Sequence, residues 1–338
     1  MEKIETRKGE FAPAITLMLM APLLTEVLPG ATRFSSIFVL PIEMTIWGGG
    51  ALLIRYTLRR WQLGWLSMLL MAVGLAIAEE WLIQQTSLAP MVIHLKGLVY
   101  ARAFGINYVY FLWALIYEPV FVVFLSVYLV ELIYPSRKND PWISRGGMFV
   151  VIPLFLLGSV FAWFTWTQIA RVKVFHQPAF HPPMIQVIIA VIVIAVLTYI
   201  ALGVLRAKQV SPISLKPLSP VVLGICGAVW ATLLFGIVLL GFGISPQFPP
   251  VVAIAGGVLI LALLPVVLLP KFVAHNSWGI WHKFGLISGT IIGSMAAGQI
   301  GFIGTTGTDL YFKLITNLIA VILLIVLGFN IKNRAFAA

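Results

Sequence analysis

Glu79 and Glu80 stand side by side in the stretch AIAEEWLIQQ, at the end of a long apolar run. Two carboxyls at that spacing suit acid–base chemistry. Like charges so close push one group to keep a proton, and the neutral and ionised partners can then serve as acid and base. Gln84 follows Glu80 by four residues, so on an α-helix the two share a face and the amide can hydrogen-bond the carboxyl. Glu43 and Glu118 fall inside other apolar runs and are candidates to bind a substrate or an ion. An ionised carboxylate near a bilayer centre costs about 2.5–3.5 kcal/mol on insertion scales, so acids in such positions are functional candidates from the outset. Glu26 and Asp309 sit at run ends, where the headgroup layer and Arg33, Lys96, Arg102, Arg171 and Lys173 can neutralise them. The other acids are Glu2, Glu5 and Glu10 in the N-terminal tail, Glu131 near a run end where it can reach the interface, and Asp140 in a loop.

Histidine is the usual partner for such carboxyls. His94, His176 and His181 lie in loops on the same expected side as the acids and are candidates to reach them. In FHQPAFHPP, however, His176 and His181 are five residues apart in a proline-rich segment, which is not a helical metal pair. His275 and His282 flank NSWGIW on the opposite side. The sequence assigns no metal ligands and no cofactor. It has no G-x-x-x-x-G-K-[ST], no H-E-x-x-H and no G-x-S-x-G, so nucleotide hydrolysis, zincin proteolysis and serine-hydrolase chemistry have no motif to stand on.

The elements that must position these groups are transmembrane helices. Of 338 residues, 61% are hydrophobic and 10% charged, and the mean hydropathy is +1.04. A soluble domain carries roughly 25% charge. Apolar segments near 11–29, 36–55, 64–86, 107–133, 147–168, 184–205, 219–242, 249–270, 284–304 and 309–330 predict an all-α polytopic transmembrane helical bundle of about ten spans. Alternate connections carry sixteen and five basic residues, with Lys313 inside the last span. That bias places both termini in the cytoplasm and the five acids from Glu26 to Glu118 in the outer leaflet. The net charge of +11 is therefore a topology signal, with the lipid bilayer as partner and no nucleic acid. The expected organisation is one membrane domain over 1–338, with acid-bearing helices in 1–135 and mostly apolar helices in 136–338. The first apolar run reads as an uncleaved helix, and a bacterial inner membrane is the expected location. Trp61, Trp65, Trp142, Trp278 and Trp281 flank spans as interfacial anchors. Gly285, Gly289 and Gly293 recur every fourth residue, and such a face predicts a close helix–helix contact.

An E-E-x-x-x-R signature inside a transmembrane helix marks the CPBP family of intramembrane proteases, which includes CAAX prenyl endopeptidases and bacteriocin-processing relatives. AEEWLIQQ resembles it, with Gln84 where the family has arginine. The resemblance implies an endopeptidase that takes a peptide substrate, with Glu80 as base, Glu79 as its proton-sharing partner and Gln84 as an orienting group. It also implies a histidine four residues after a phenylalanine on the next helix. There the chain reads YVYFLWALIYEPVFVV, with Leu115 four residues after Phe111 and no histidine. The family's third motif, a histidine followed four residues on by asparagine, is absent as well. The same carboxyls also suit a transporter or a proton- or cation-binding protein acting on a small molecule, or a non-catalytic membrane scaffold.

Overall fold

The computed structural model describes residues 11–90, 102–207, 213–238 and 251–337. Ten helical rods follow one another: α1 (Ala12–Val27), α2 (Phe34–Arg60), α3 (Trp65–Ile83), α4 (Tyr108–Ile133), α5 (Arg145–Val174), α6 (Met184–Val204), α7 (Pro220–Val238), α8 (Val251–Val273), α9 (Ile280–Phe302) and α10 (Thr308–Ala337). Among the described residues, nine of them, α2 to α10, are long and apolar enough to cross a membrane. The chain is an all-α, multi-pass helical membrane protein. The first expected span, 11–29, is the short one: α1 falls below the roughly 17–25 residues that a straight crossing needs. Among the described residues the strands are two short ones, Arg102–Ala103 and Ile106–Asn107, which pair antiparallel before α4.

α4 lies at the centre. Val109, Ala114, Phe121, Val122, Val123 and Val130 are fully buried on it. It joins a core shared with α1 to α3 to a second core shared with α7 to α10. Asn107 caps its start, accepting a hydrogen bond from the Tyr110 amide at 3.0 Å. α5, α6, α8 and α10 expose large aliphatic side chains over much of their surface, as lipid-facing helices do. Pro265 and Pro270 do not shorten α8, which is helical through Val273.

In lipid, apolar burial does not drive helices together, so close packing must. The glycine face of α9 supplies it. A Cβ on Gly289 would lie 2.6 Å from the Gly224 carbonyl carbon of α7, and one on Gly293 would lie 2.8 Å from the Ala228 Cα. Gly48 of α2 does the same for α1, since a Cβ there would lie 2.5 Å from the Met18 Cα.

The two ends of the bundle differ in charge. At one end Glu131 is buried in the protein and draws in Arg59 at 2.6 Å, Arg55 at 3.4 Å and Lys283 at 3.6 Å. Trp142, expected as an interfacial anchor, is 1% exposed and lies under the Arg55 guanidinium. At the other end Asp309 accepts hydrogen bonds from the Ser35 amide (2.9 Å) and hydroxyl (3.0 Å), which ties α10 to α2. Lys313 is buried and donates to the Leu28 carbonyl at the end of α1, where the helix dipole favours a cation.

Candidate functional site

The local backbone around the acids is not regular α-helix. α1 to α4 each contain a π-helical turn: Leu23–Val27, Met44–Gly48, Glu79–Ile83 and Pro119–Leu125. Glu26, Glu43, Glu79, Glu80 and Glu118 each sit in such a turn or directly before it. Glu26, Glu79 and Glu80 lie inside; Glu43 and Glu118 immediately precede one. A π turn widens the helix by one residue, re-aims the side chains it carries and recurs at functional sites. In α4 the cause is legible: Pro119 has no N–H and its ring cannot tolerate the preceding α geometry. In α1 Pro22 precedes the turn in the same way. α3 widens without a proline. The chain leaves it through Gln85, a non-glycine residue in the left-handed region at φ 60°, a conformation that costs about 1–2 kcal/mol.

These turns gather five carboxyls from four helices. Glu79, Glu80, Glu118 and Glu43 are 2–6% exposed; Glu26 is half-buried. Glu26 interacts electrostatically with Glu43 and Glu79, and Glu79 with Glu80 and Glu43. The Glu118 carboxyl interacts electrostatically with Glu80. One Glu80 oxygen accepts the Ser87 amide at 2.9 Å. Glu43 accepts the Thr32 hydroxyl at 2.5 Å. Among the described residues, both oxygens of Glu79 and one each of Glu43 and Glu118 have no hydrogen-bond partner. The indole N–H groups of Trp47 and Trp81 are likewise unpaired there. Tyr110 and Tyr117 of α4 stand in the electrostatic field of the acids, and the Tyr117 hydroxyl donates to the Thr25 carbonyl.

Of the residues singled out from the sequence, Glu43, Glu79, Glu80 and Glu118 come together, and Glu26, expected in the headgroup layer, joins them. Gln84 does not take its expected place. Its backbone N–H bonds Glu79 O, an i to i+5 step, and its side chain makes no hydrogen bond to Glu80 among the described residues. Gln84 is the cap at which the helix ends, and the chain turns away at Gln85. The Ser87 amide holds the Glu80 carboxyl instead. Thr32, Ser87 and Tyr117 are the site residues that the sequence reading missed; only Tyr117, next to Glu118, carried a local hint.

No histidine reaches the acids among the described residues. His176 and His181 are exposed in the loop after α5, and His94 lies outside the described residues. Phe111 packs its ring against Trp81 at 5.1 Å. None of the described ion pairs with carboxylates involves the five acids. Among the described residues, no three His, Cys, Asp or Glu side chains are placed to share a metal ion.

The Thr32 contact is directly testable. Thr32→Val removes the donor to buried Glu43 and keeps the shape. It is expected to lower unfolding stability by about 1–3 kcal/mol, measured by denaturant titration in micelles. Thr32→Ser, which keeps the hydroxyl, should behave like wild type.

Beside this site α2 and α5 leave an apolar groove of about 530 Å³, lined by Pro41, Ile42, Thr45, Leu157 and Phe161 among others. It is open to the surface, and its lining residue Ile42 is the chain neighbour of Glu43. Comparison with known proteins adds no family to this picture: no family model, no curated protein and no solved structure matches the chain.

Proposed function

We propose that the five carboxyls form a protonatable centre of a proton-coupled membrane transporter. One observation carries this reading. Five intramembrane acids from four helices converge, with no basic side chain ion-paired to any of them among the described residues. Acids so buried and so close cannot all be ionised without a counter-charge, and a proton is the counter-charge that needs no further ligand. A proton on Glu80 or Glu118 would let that carboxyl donate to its neighbour, whereas two ionised carboxylates only accept. Intramembrane acids of this kind relay protons in pumps and transporters. The π turns in α1 to α4 supply the irregular backbone on which such sites are built.

The test is infrared spectroscopy of the purified protein. A protonated-carboxyl C=O stretch is expected at neutral pH and should weaken in Glu80→Gln and Glu118→Gln. A wild-type spectrum without that band at neutral pH rules the centre out. Imposed proton gradients across proteoliposomes then test transport, with Glu79→Gln expected to reduce proton entry by tenfold or more.

The Glu80–Glu118 pair also favours a second reading. Two carboxyls sharing a proton are the arrangement that acid–base catalysis uses, and a CPBP-like protease with Glu80 as base would draw on it. Under that reading, purified protein cleaves a membrane-embedded peptide and Glu80→Gln abolishes cleavage.

A further inference from the structure

The second charged cluster lies at the opposite, basic end of the bundle and is built with the reverse imbalance. Three cations, Arg55 and Arg59 of α2 and Lys283 of α9, surround one carboxylate, Glu131 of α4. Their charges do not cancel: three positive groups meet one negative group. Arg55 is the most enclosed, at 1% exposure. One terminal nitrogen donates to the Lys138 carbonyl at 2.5 Å and lies 3.4 Å from Glu131. Its Nε and its other terminal nitrogen find no acceptor among the described residues. Trp142 covers one face of the guanidinium at 4.3 Å, which leaves the N–H edge as the side without a partner. A guanidinium has five N–H donors, and leaving buried ones unmade is costly. Arg59 and Lys283 are each about one-third exposed, at 34% and 32%, and form the open rim.

We propose that Arg55, Arg59 and Lys283 bind a phosphate group at this end of the bundle. The planar fork of arginine matches phosphate oxygens in pairs, and a singly or doubly charged phosphate supplies the missing negative charge. Glu131 holds the cations together in its absence. The phosphate belongs either to the headgroup of a membrane phospholipid or to a soluble phosphate compound. The positive end of the bundle is where anionic headgroups and cytoplasmic solutes are both at hand.

Thermal unfolding of the purified full chain in neutral detergent separates these cases. Four additions are compared: sodium phosphate, sodium chloride at equal ionic strength, dioleoyl phosphatidylglycerol and dioleoylglycerol. The expected result is a higher unfolding midpoint with phosphatidylglycerol than with dioleoylglycerol, with sodium phosphate than with sodium chloride, or both. A response to the lipid alone assigns the headgroup; a response to sodium phosphate assigns a soluble ligand. Arg55→Lys keeps the charge but loses the fork, and should weaken the apparent affinity about tenfold, the worth of one charge-assisted hydrogen bond. No response to either phosphate probe, an equal response to dioleoylglycerol, or an unchanged affinity in Arg55→Lys overturns the proposal. Should Arg55→Lys fail to fold, Lys283→Gln on the open rim takes its place, and an unchanged affinity there overturns it equally.

Discussion

Gly289→Val is expected to lower the thermal unfolding midpoint of the detergent-solubilised protein more than any other single substitution in α7 or α9. A Cβ at position 289 would lie 2.6 Å from the carbonyl carbon of Gly224, so the obstacle is backbone and cannot rotate away. Relief comes only from moving α9 off α7. That separates Gly285 from Pro220, Gly293 from Ala228 and the Thr232 hydroxyl from the Gly293 carbonyl, now 3.3 Å apart. Overpacking of a well-fitted contact costs about 1–3 kcal/mol, and an overlap with main chain belongs at or beyond the top of that range. No compensating gain is available, because lipid fills the gap as readily as leucine does. Gly236→Ala on α7 is the control, since a Cβ there meets nothing within 4 Å and should leave the midpoint nearly unchanged. Circular dichroism melts of the two variants and wild type check the pair. A Gly289→Val protein that melts with wild type means that the helices do not touch at this glycine.

That contact was legible in the sequence, because a spacing of four on an α-helix puts residues on one face whatever they pack against. The same holds for the helices themselves, since twenty apolar residues cross a bilayer by length alone. The grouping of the acids was half legible. Their positions along α1 to α4 gave one level in the membrane, and helices close in sequence tend to pack together. Gln84 shows where this reasoning stops. Its expected bond to Glu80 assumed that the helix runs on past position 84, whereas the helix ends at Ile83, and no glycine or proline stands at that stop. Thr32 and Ser87 lie in connections, where no periodicity says which way a hydroxyl or an amide points. Glu131 was read as interfacial because it stands near a helix end. Its partners Arg59 and Lys283 are 72 and 152 positions away, and only the packing of α2, α4 and α9 brings them to it. Pairings at such separations depend on how helices rotate about their axes, which a hydropathy profile does not contain.

The Glu80–Glu118 pair allows a prediction whose sign, not only its size, is informative. If the two carboxyls share a proton, each is the hydrogen-bond partner of the other, and removing one leaves a buried polar group unpaired. Glu118→Leu should then destabilise the protein by about 1–3 kcal/mol. Glu80→Leu should cost at least as much, because the Ser87 amide, 2.9 Å away, loses its acceptor too. The double variant should lose less than the sum of the two, since it leaves no orphaned carboxyl and fills the space with apolar atoms. If instead both groups are ionised, they repel one another at short range, and Glu118→Leu relieves that repulsion and raises stability. Glu118→Gln sharpens the contrast, because its amide can still donate to Glu80 and should keep most of the wild-type stability. Unfolding free energies of the four proteins in mixed micelles measure the cycle. A stabilised Glu118→Leu would remove the shared proton, and with it the counter-charge on which both proton coupling and carboxyl-pair catalysis depend. A destabilised one with strong coupling to Glu80 places a proton between α3 and α4, at the turns where both helices leave α geometry.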